Sequence, residues 1–121
     1  MFDNLPSPAP GFKRVIRVEP NRPGNGYTFS RIYDLVDNWC HMPNPQNDIG
    51  GIAGSRMACD DYVCGSLEWQ FHKWFPEGIL HALPERGLQC VALDVPEDHM
   101  MMGREQVIFD RERAVEVQVL F

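Results

Sequence analysis

The chain has 121 residues, of which 17 are acidic and 11 basic, so its net charge is −6. This length fits one domain with its own core, and 44% hydrophobic residues exclude a wholly disordered chain. The acidic excess argues against a protein that follows a nucleic-acid backbone, since that function needs clustered Lys and Arg. No apolar run approaches the roughly 20 residues that span a bilayer. The start of the chain lacks the basic and apolar regions of a signal peptide, so we expect a cytoplasmic protein.

The first half of the chain predicts an arm, a strand, a helix and a loop. Residues 1–11 contain three prolines and a glycine, which predicts an extended arm before a single domain over residues 12–121. Residues 12–19 alternate as a strand that Pro20 ends. Ser30 is placed to cap a helix over residues 30–39, whose apolar residues follow helical spacing. Residues 41–56 are rich in proline and glycine and predict a long irregular loop.

The second half predicts two helices between strands. A short strand is expected over residues 62–64, followed by a helix that Ser66 caps, and then by a short helix over residues 79–83. The apolar face of the helix that Ser66 is predicted to cap should pack on a sheet formed around Val91, Leu93 and Val107. Residues 88–95, 105–109 and 115–121 read as strands, the last of them half-buried, with a loop over residues 97–103. The helix face consists of Leu67, Phe71, Trp74 and Phe75.

The order of elements is β, α, β, α, α, β, β, β. Strands dominate the end of the chain and helices its middle, which excludes a doubly wound parallel sheet. The sequence therefore predicts an α+β fold.

The four cysteines follow neither a disulfide scaffold nor the duplicated pairs of a structural zinc site. We predict reduced thiols and no metal. The alternative zinc site would join Cys40 and His41 to Cys59 and Cys64. Cys64 is also a candidate nucleophile, because a cysteine at a helix N-terminus can have a lowered pKa, with His41 or His72 as its base. We interpret these thiols as structural.

Four short motifs occur in a recognisable order. They are Val-Ile-Arg17-Val-Glu in the first strand, Gly24-Asn-Gly26-Tyr27 in a bend, Val63-Cys-Gly-Ser66 before a helix, and Gln106-Val-Ile-Phe-Asp in a late strand. In this order residues 12 to about 110 resemble the ADP-ribosyltransferase fold, the NAD-binding family of bacterial toxins and poly(ADP-ribose) polymerases. The chain also resembles a set of small phage-encoded proteins. The resemblance implies a mostly antiparallel sheet with helices packed between the early and late strands.

The resemblance also implies a site for NAD. Arg17 and Tyr27 would hold the dinucleotide, with Gly26 in the bend, and Ser66 would support the ribose. Gln106 would lie at the scissile bond, where the family has a catalytic Glu. A carboxylate stabilises the oxocarbenium-like transition state of this reaction, and a Gln supplies no such charge. Glu105 points to the other face of a strand and would reach the site only after a register slip. We therefore expect a possible mono-ADP-ribosyltransferase with slow or absent turnover.

A non-enzymatic inhibitor is the alternative. The chain is similar in size and charge to the anti-CRISPR proteins, small phage proteins that block defence machinery. Such a protein would meet a host or defence component at a basic nucleic-acid channel and compete with phosphate for its Lys and Arg. The candidate contacts are acidic pairs and a run of methionines, namely Asp60-Asp61, Glu97-Asp98 and Met100-Met101-Met102. Neither reading predicts direct nucleic-acid binding or a membrane.

Overall fold

The computed structural model describes residues 4–21, 44–75 and 77–120. Within these ranges the chain forms six strands, four short helices and three 3-10 turns. The strands are β1 (Phe12–Pro20), β2 (Tyr62–Gly65), β3 (Leu88–Pro96), β4 (Met100–Met102), β5 (Val107–Asp110) and β6 (Val115–Val119). The helices are α1 (Pro45–Asp48), α2 (Gly51–Cys59), α3 (Glu68–Trp74) and α4 (Glu77–Leu80), and the 3-10 turns are Pro84–Arg86, Glu97–His99 and Arg111–Arg113. The helix predicted over residues 30–39 lies outside the described residues.

The strands form two three-stranded antiparallel sheets. Sheet 1 has the order β1-β3-β6 and sheet 2 the order β2-β5-β4. One bridge joins them: the backbone N–H of Ile16 donates to the carbonyl of Ser66 at 2.8 Å, and the N–H of Ser66 donates to the carbonyl of Ile16 at 3.0 Å. Across this bridge the strand order is β6-β3-β1-β2-β5-β4. The predicted α+β class with antiparallel pairing is confirmed.

A hydrophobic cluster fills the space between the two sheets. It contains Val15, Val91 and Leu93 of sheet 1 and Val107 and Phe109 of sheet 2, all fully buried. These side chains meet because successive strand residues point to opposite faces, so that residues of one parity share one face of each strand.

The face of α3 packs on the other side of sheet 1. Phe71, Trp74 and Phe75 contact Ile16 and Ala92, together with other buried residues of that cluster. The prediction that they pack around Val91, Leu93 and Val107 is therefore wrong for these three aromatic residues and correct for Leu67, which packs on the cluster between the sheets. Strand β3 forms over the residues predicted from their alternation, but both of its faces are buried. Apolar pattern alone did not say which face receives the helix.

The segment predicted as a long loop is partly helical, and that prediction is wrong over residues 45–56. Asn44 caps α1 by accepting the N–H of Asn47 on its side chain at 3.0 Å, and Pro45 occupies the first helical position. Gly50 precedes α2, which buries Ala53 against Tyr62 and Ile108 on the outer face of sheet 2. Proline and glycine here mark helix starts rather than irregular chain, as proline is well tolerated at the first helical position.

The two edge strands differ from expectation. The predicted loop over residues 97–103 contains β4, where Met100 and Met101 pack on buried clusters and only Met102 is exposed. The continuous methionine surface is therefore not formed. In β6, a register irregularity opposite Ala92 and Leu93 breaks the simple alternation. Val117 packs on the helical cluster, while Val115 and Val119 are exposed.

Candidate functional site

Arg17 belongs to a partly buried ion cluster that is centred on Glu19. Its Nε donates to the carbonyl of Cys64 at 2.9 Å, and its Nη1 lies 2.7 Å from Oε2 of Glu19. The same carboxylate binds Arg111, whose Nη2 lies 3.0 Å from Oε1. Burial raises the pKa of Glu19, but hydrogen bonds and charge from Arg111 and Arg17 outweigh it and hold that pKa below its usual value. The guanidinium predicted to hold a dinucleotide is thus engaged within the chain.

Ser66 connects the sheets instead of capping a helix. Its backbone forms the bridge to Ile16, and the residue is 5% exposed. Helix α3 begins at Glu68 with Leu67 in the cap position, where the N–H of Leu67 donates to Oε1 of Gln70 at 2.9 Å. The predicted cap is therefore wrong, since extended pairing holds Ser66 outside the helix.

Gln106 and Glu105 lie in the turn between β4 and β5, and Asp48 holds that turn. The Asp48 carboxylate accepts the backbone N–H groups of Arg104, Glu105 and Gln106 at 2.9, 2.9 and 3.1 Å. The Glu105 carboxylate forms an ion pair with Lys73 at 3.1 Å. Gln106 is 3% exposed. Nothing in the sequence singles out Asp48, because it lies in the segment predicted as a loop and its partners are backbone groups.

Three of the positions matched to the NAD site lie near one another. Gly65 pairs with Val107, so Ser66 and Gln106 adjoin the same end of β2 and β5. Arg17 of β1 donates a hydrogen bond to the carbonyl of Cys64, which lies in β2 close to Ser66. Gly26 and Tyr27 lie outside the described residues. Ser66 and Gln106 are buried, while Arg17 and Glu105 are ion-paired, so this neighbourhood is held together by internal bonds.

Cys64, the candidate nucleophile, is not activated by its surroundings. Burial raises the pKa of Cys64, and the nearby charge of Arg17 opposes this only in part. The lowered pKa expected at a helix N-terminus is therefore wrong for Cys64, because this residue lies in β2 and packs on the cluster of Ala53, Tyr62 and Ile108. The described residues contain no group of three His, Cys, Asp or Glu side chains that could hold a metal ion. Cys40 and His41 lie outside them.

Most of the described Lys and Arg side chains form ion pairs, whereas several acidic side chains form none. Besides the cluster at Glu19, cations pair in five further bridges, namely Lys13–Glu97, Arg14–Asp94, Arg56–Asp60, Lys73–Glu105 and Arg113–Asp110. Several exposed acids have no ion-pair partner among residues 4–21, 44–75 and 77–120: Asp61, Glu68, Glu85, Glu112 and Glu116.

Two of these acids adjoin one end of sheet 2, and a third lies near Arg111, which follows that end. Asp61 precedes Tyr62, which pairs with Asp110, and Glu112 follows two residues later. The hydrogen bond to Glu19 raises the pKa of Arg111 against the effect of burial, and the charge of Glu116 in β6 adds a smaller contribution. We name Asp61, Glu112 and Glu116 the acidic end. It lies opposite the end of sheet 2 that carries Gln106.

The fold and the site define a small antiparallel α+β protein with an acidic surface. We name the ion cluster in which Arg17 and Arg111 both bind Glu19 the polar centre. The chain belongs to the Bacteriophage T4 Y00F protein family, whose model matches residues 12–121. It is therefore a phage protein, as the resemblance to small phage-encoded proteins predicted. No curated protein and no solved structure matches the chain. Among the described residues, no helix has the length and apolar character needed to cross a bilayer.

Proposed function

We propose that the chain is a non-enzymatic binding protein whose exposed acidic side chains hold a basic surface of a host or defence component. The partner is a protein that normally binds nucleic acid through Lys and Arg. Binding would place carboxylates where phosphates otherwise lie, so the protein would act as a competitive inhibitor.

The balance of charges supports this proposal. Most described cations are held in intramolecular pairs, including Arg56, Arg111 and Arg113 near the acidic end, whereas Asp61, Glu112 and Glu116 have no ion-pair partner among residues 4–21, 44–75 and 77–120. Exposed like charges raise the local potential and speed the approach of an oppositely charged protein. A basic partner would gain new ion pairs without breaking those already formed.

The bonds that Arg17 already makes in the polar centre support a binding scaffold rather than an enzyme. Arg17 would have to leave both Glu19 and the Cys64 carbonyl before it could bind a phosphate. That exchange would break a charge-assisted hydrogen bond to the largely buried Glu19 carboxylate and a hydrogen bond to a backbone carbonyl, both of which cost free energy to lose. The same bonds that stabilise the fold therefore oppose a catalytic role.

The test begins with purification of partners. Host proteins retained by the immobilised chain are identified, and the affinity of each purified partner is measured at low and high salt. We expect affinity to fall steeply with salt, since exposed charges are screened over roughly 8–10 Å near physiological ionic strength. The combined variant Asp61→Asn, Glu112→Gln and Glu116→Gln should weaken binding about tenfold or more, mainly by slower association.

Glu85→Gln is the matched control, because it removes one exposed charge elsewhere and should change affinity little. The complex should also release the nucleic acid of its partner. An affinity indifferent to salt and to the triple variant would overturn the proposal.

A second candidate is an ADP-ribosyltransferase-like domain that binds NAD. The proximity of Arg17, Ser66 and Gln106 at β1, β2 and β5 favours it. Under the binding-protein proposal, calorimetric titration with NAD should give no heat of binding. Under the second candidate NAD binds, Arg17→Ala weakens it because a charge-assisted bond to phosphate is lost, and Gln106→Glu raises hydrolysis. Arg14→Ala is the control, since Arg14 in the same strand binds Asp94.

A further inference from the structure

The chain makes a tight turn immediately before β1. The N–H of Phe12 donates to the carbonyl of Ala9 at 3.0 Å, with Pro10 as the second residue of the turn and Gly11 as the third. Gly11 has a φ of 83°, the positive value that a type II turn requires at its third position and that glycine adopts without strain. The turn therefore folds the preceding residues back over the start of β1.

Residues 4–10 lie on the helix side of sheet 1. Arg14 shares a face of β1 with residues of the cluster on which α3 packs. Its Nη2 donates to the carbonyl of Pro6 at 2.5 Å, while its Nε donates to Asp94 at 2.6 Å directly across β1 and β3. Leu5 packs against the same cluster. We name residues 4–10 the strap, and we name the surface formed by Arg14, Asp94 and the cluster under Leu5 the seat.

The strap is held by few contacts, whereas the chain after it is anchored in sheet 1. Five of its seven residues are exposed, and Leu5 and Pro8 are half-buried. Its three prolines carry no N–H, and none of its residues belongs to a strand. The N–H of Glu97, in contrast, donates to the carbonyl of Gly11 at 2.9 Å, and β1 begins at Phe12. The boundary between the strap and the anchored chain is therefore Gly11.

We propose that the strap opens about Gly11 while both sheets stay folded, and that Arg14 is its latch. Opening breaks the turn, the bond from Arg14 to Pro6 and the packing of Leu5, and it leaves the bond from Arg14 to Asp94 in place. Regions with few buried contacts open at a lower free energy than the whole fold. Proline also keeps the released strap extended, so little conformational entropy is lost when it closes again.

Opening uncovers a binding site for an extended apolar segment. The polar part of the seat is built into the sheet, since Arg14 lies in β1 and Asp94 in β3, and their ion pair is 13% and 19% exposed while the strap is closed. An occupant must offer what Leu5 and Pro6 offer, an apolar side chain followed by a backbone carbonyl, and the strap of a second copy does so. The acidic end contributes no residue to the strap or the seat, so this inference and the proposed function can fail separately.

Amide hydrogen exchange of the full chain, followed by NMR in increasing urea, tests the opening. The N–H of Phe12 reports the strap, because its bond crosses the turn, and the N–H of Ile16 reports the sheets, because it is bonded to Ser66. We expect Phe12 to exchange about 100-fold faster than Ile16 and with little dependence on urea, since opening of the strap exposes little surface. Equal protection and equal urea dependence at the two amides would overturn the inference.

Gly11→Ala tests the hinge. A Cβ atom at Gly11 would meet no atom within 4 Å, so the substitution acts through the backbone alone. Alanine disfavours the positive φ of the closed turn, and the N–H of Phe12 should therefore exchange about tenfold faster. Gly78→Ala is the matched control, because its Cβ also meets no atom within 4 Å and its φ is not positive. Exchange at Phe12 that ignores Gly11→Ala would contradict a hinge at this residue.

Arg14→Lys tests the latch. Lysine keeps a charge beside Asp94, but its single ammonium replaces a guanidinium that binds two acceptors at once, so exchange at Phe12 should rise several-fold. Arg113→Lys is the control, since Arg113 pairs with Asp110 in the turn after β5 and should not affect the strap.

A synthetic peptide of residues 4–11 tests the seat. The peptide competes with the strap of the full chain, so its apparent affinity is set by the fraction of chains whose seat is vacant. It should bind Gly11→Ala about tenfold more tightly than the natural chain, and Leu5→Ala within the peptide should weaken binding about tenfold through lost apolar burial. Fluorescence anisotropy of the labelled peptide measures both. A peptide that binds neither chain at millimolar concentration, or both chains equally, would overturn the inference.

Discussion

At the scale of single residues, Glu19 is the most consequential side chain. It is 11% exposed and binds two arginines from different parts of the chain, Arg17 in β1 and Arg111 after β5. It therefore ties sheet 1 to sheet 2 by charge, beside the backbone bridge at Ile16. Its depressed pKa is the signature of this role.

The pH dependence of stability follows from Glu19. Because its folded pKa lies below the usual 4.5, its stabilisation is complete above that value and is lost as the pH falls through the folded pKa. At neutral pH, Glu19→Gln should lower the free energy of unfolding by about 2–3 kcal/mol, less than the roughly 3–5 kcal/mol for a fully buried pair, because Arg17 and Arg111 are partly exposed. Urea unfolding at pH 7 and in mild acid measures this.

The difference between Glu19→Gln and wild type should narrow in acid. Glu85→Gln is the control, since Glu85 is exposed and has no ion-pair partner in the described residues. A gap of equal size at both pH values would contradict the assignment to the Glu19 carboxylate.

The thiols should differ in reactivity by burial. Burial raises the pKa of Cys90 to about 12 and also raises that of the partly buried Cys64, whereas Cys59 is exposed. Since the thiolate is the reacting form, alkylation near pH 8 should label these three described thiols in the order Cys59, then Cys64, with Cys90 labelled only after unfolding. Mass spectrometry of the digested protein gives the order directly. Early labelling of Cys90 in the folded chain would contradict its burial in β3.

At the scale of elements, α3 does two things at once. Its buried face packs on sheet 1 through Phe71 and Trp74, while Gln70 and Lys73 hold the turn between β4 and β5. A helix of seven residues is too short to be stable alone, so packing rather than propensity maintains it. Its opposite face exposes Trp69 to solvent.

The two faces of α3 should respond differently to truncation. Phe71 is fully buried, and Phe71→Ala should cost about 3–5 kcal/mol of folding free energy through lost burial and a cavity. Trp69 is 60% exposed, so Trp69→Ala should cost below about 1 kcal/mol, as for a surface substitution. Denaturant unfolding compares them. Similar losses for both would show that the helix orientation is wrong.

At the scale of the whole molecule, helices and sheets alternate as layers. Helices α3 and α4 cover one side of sheet 1, the other side faces sheet 2, and α2 covers the far side of sheet 2. Every layer shares a buried cluster with the next. We therefore expect the two sheets to unfold together, as small single domains usually do.

A substitution at Gly65 tests whether the two sheets unfold together, because Gly65 lies where β1, β2 and β5 meet. A Cβ atom there would lie 2.6 Å from Cγ1 of Val15 and 2.8 Å from Cε1 of Phe109. Gly65→Ala should destabilise the chain by roughly 1–3 kcal/mol through overpacking. Gly78→Ala is the control, as its Cβ would meet no atom within 4 Å.

Far-ultraviolet circular dichroism and tryptophan fluorescence should report the same shifted transition for Gly65→Ala. Two separated transitions would show that the sheets unfold independently, contrary to the layered core. An unchanged stability would show that the sheets are not in close contact at this glycine.

The sequence by itself determined the elements that have a regular local pattern. Alternation located β1 and β3 to within about one residue, and the apolar spacing of Phe71 and Trp74 revealed α3, because these periods arise from backbone geometry within one element. Composition fixed the acidic surface, and the order of elements fixed the α+β class. Residues 45–56 were misassigned because proline and glycine start helices as well as interrupt them.

Only the tertiary structure decided which faces and side chains meet. Both faces of β3 are apolar, so its local pattern could not choose between α3 and sheet 2. Arg17 reads as a surface or ligand-binding arginine until Glu19 and Arg111, 92 residues apart in the chain, are brought together. The bonds from Asp48 go to backbone N–H groups, which every residue except proline carries and which therefore leave no mark in the sequence. Local periodicity reports one element at a time, whereas the site depends on contacts between elements.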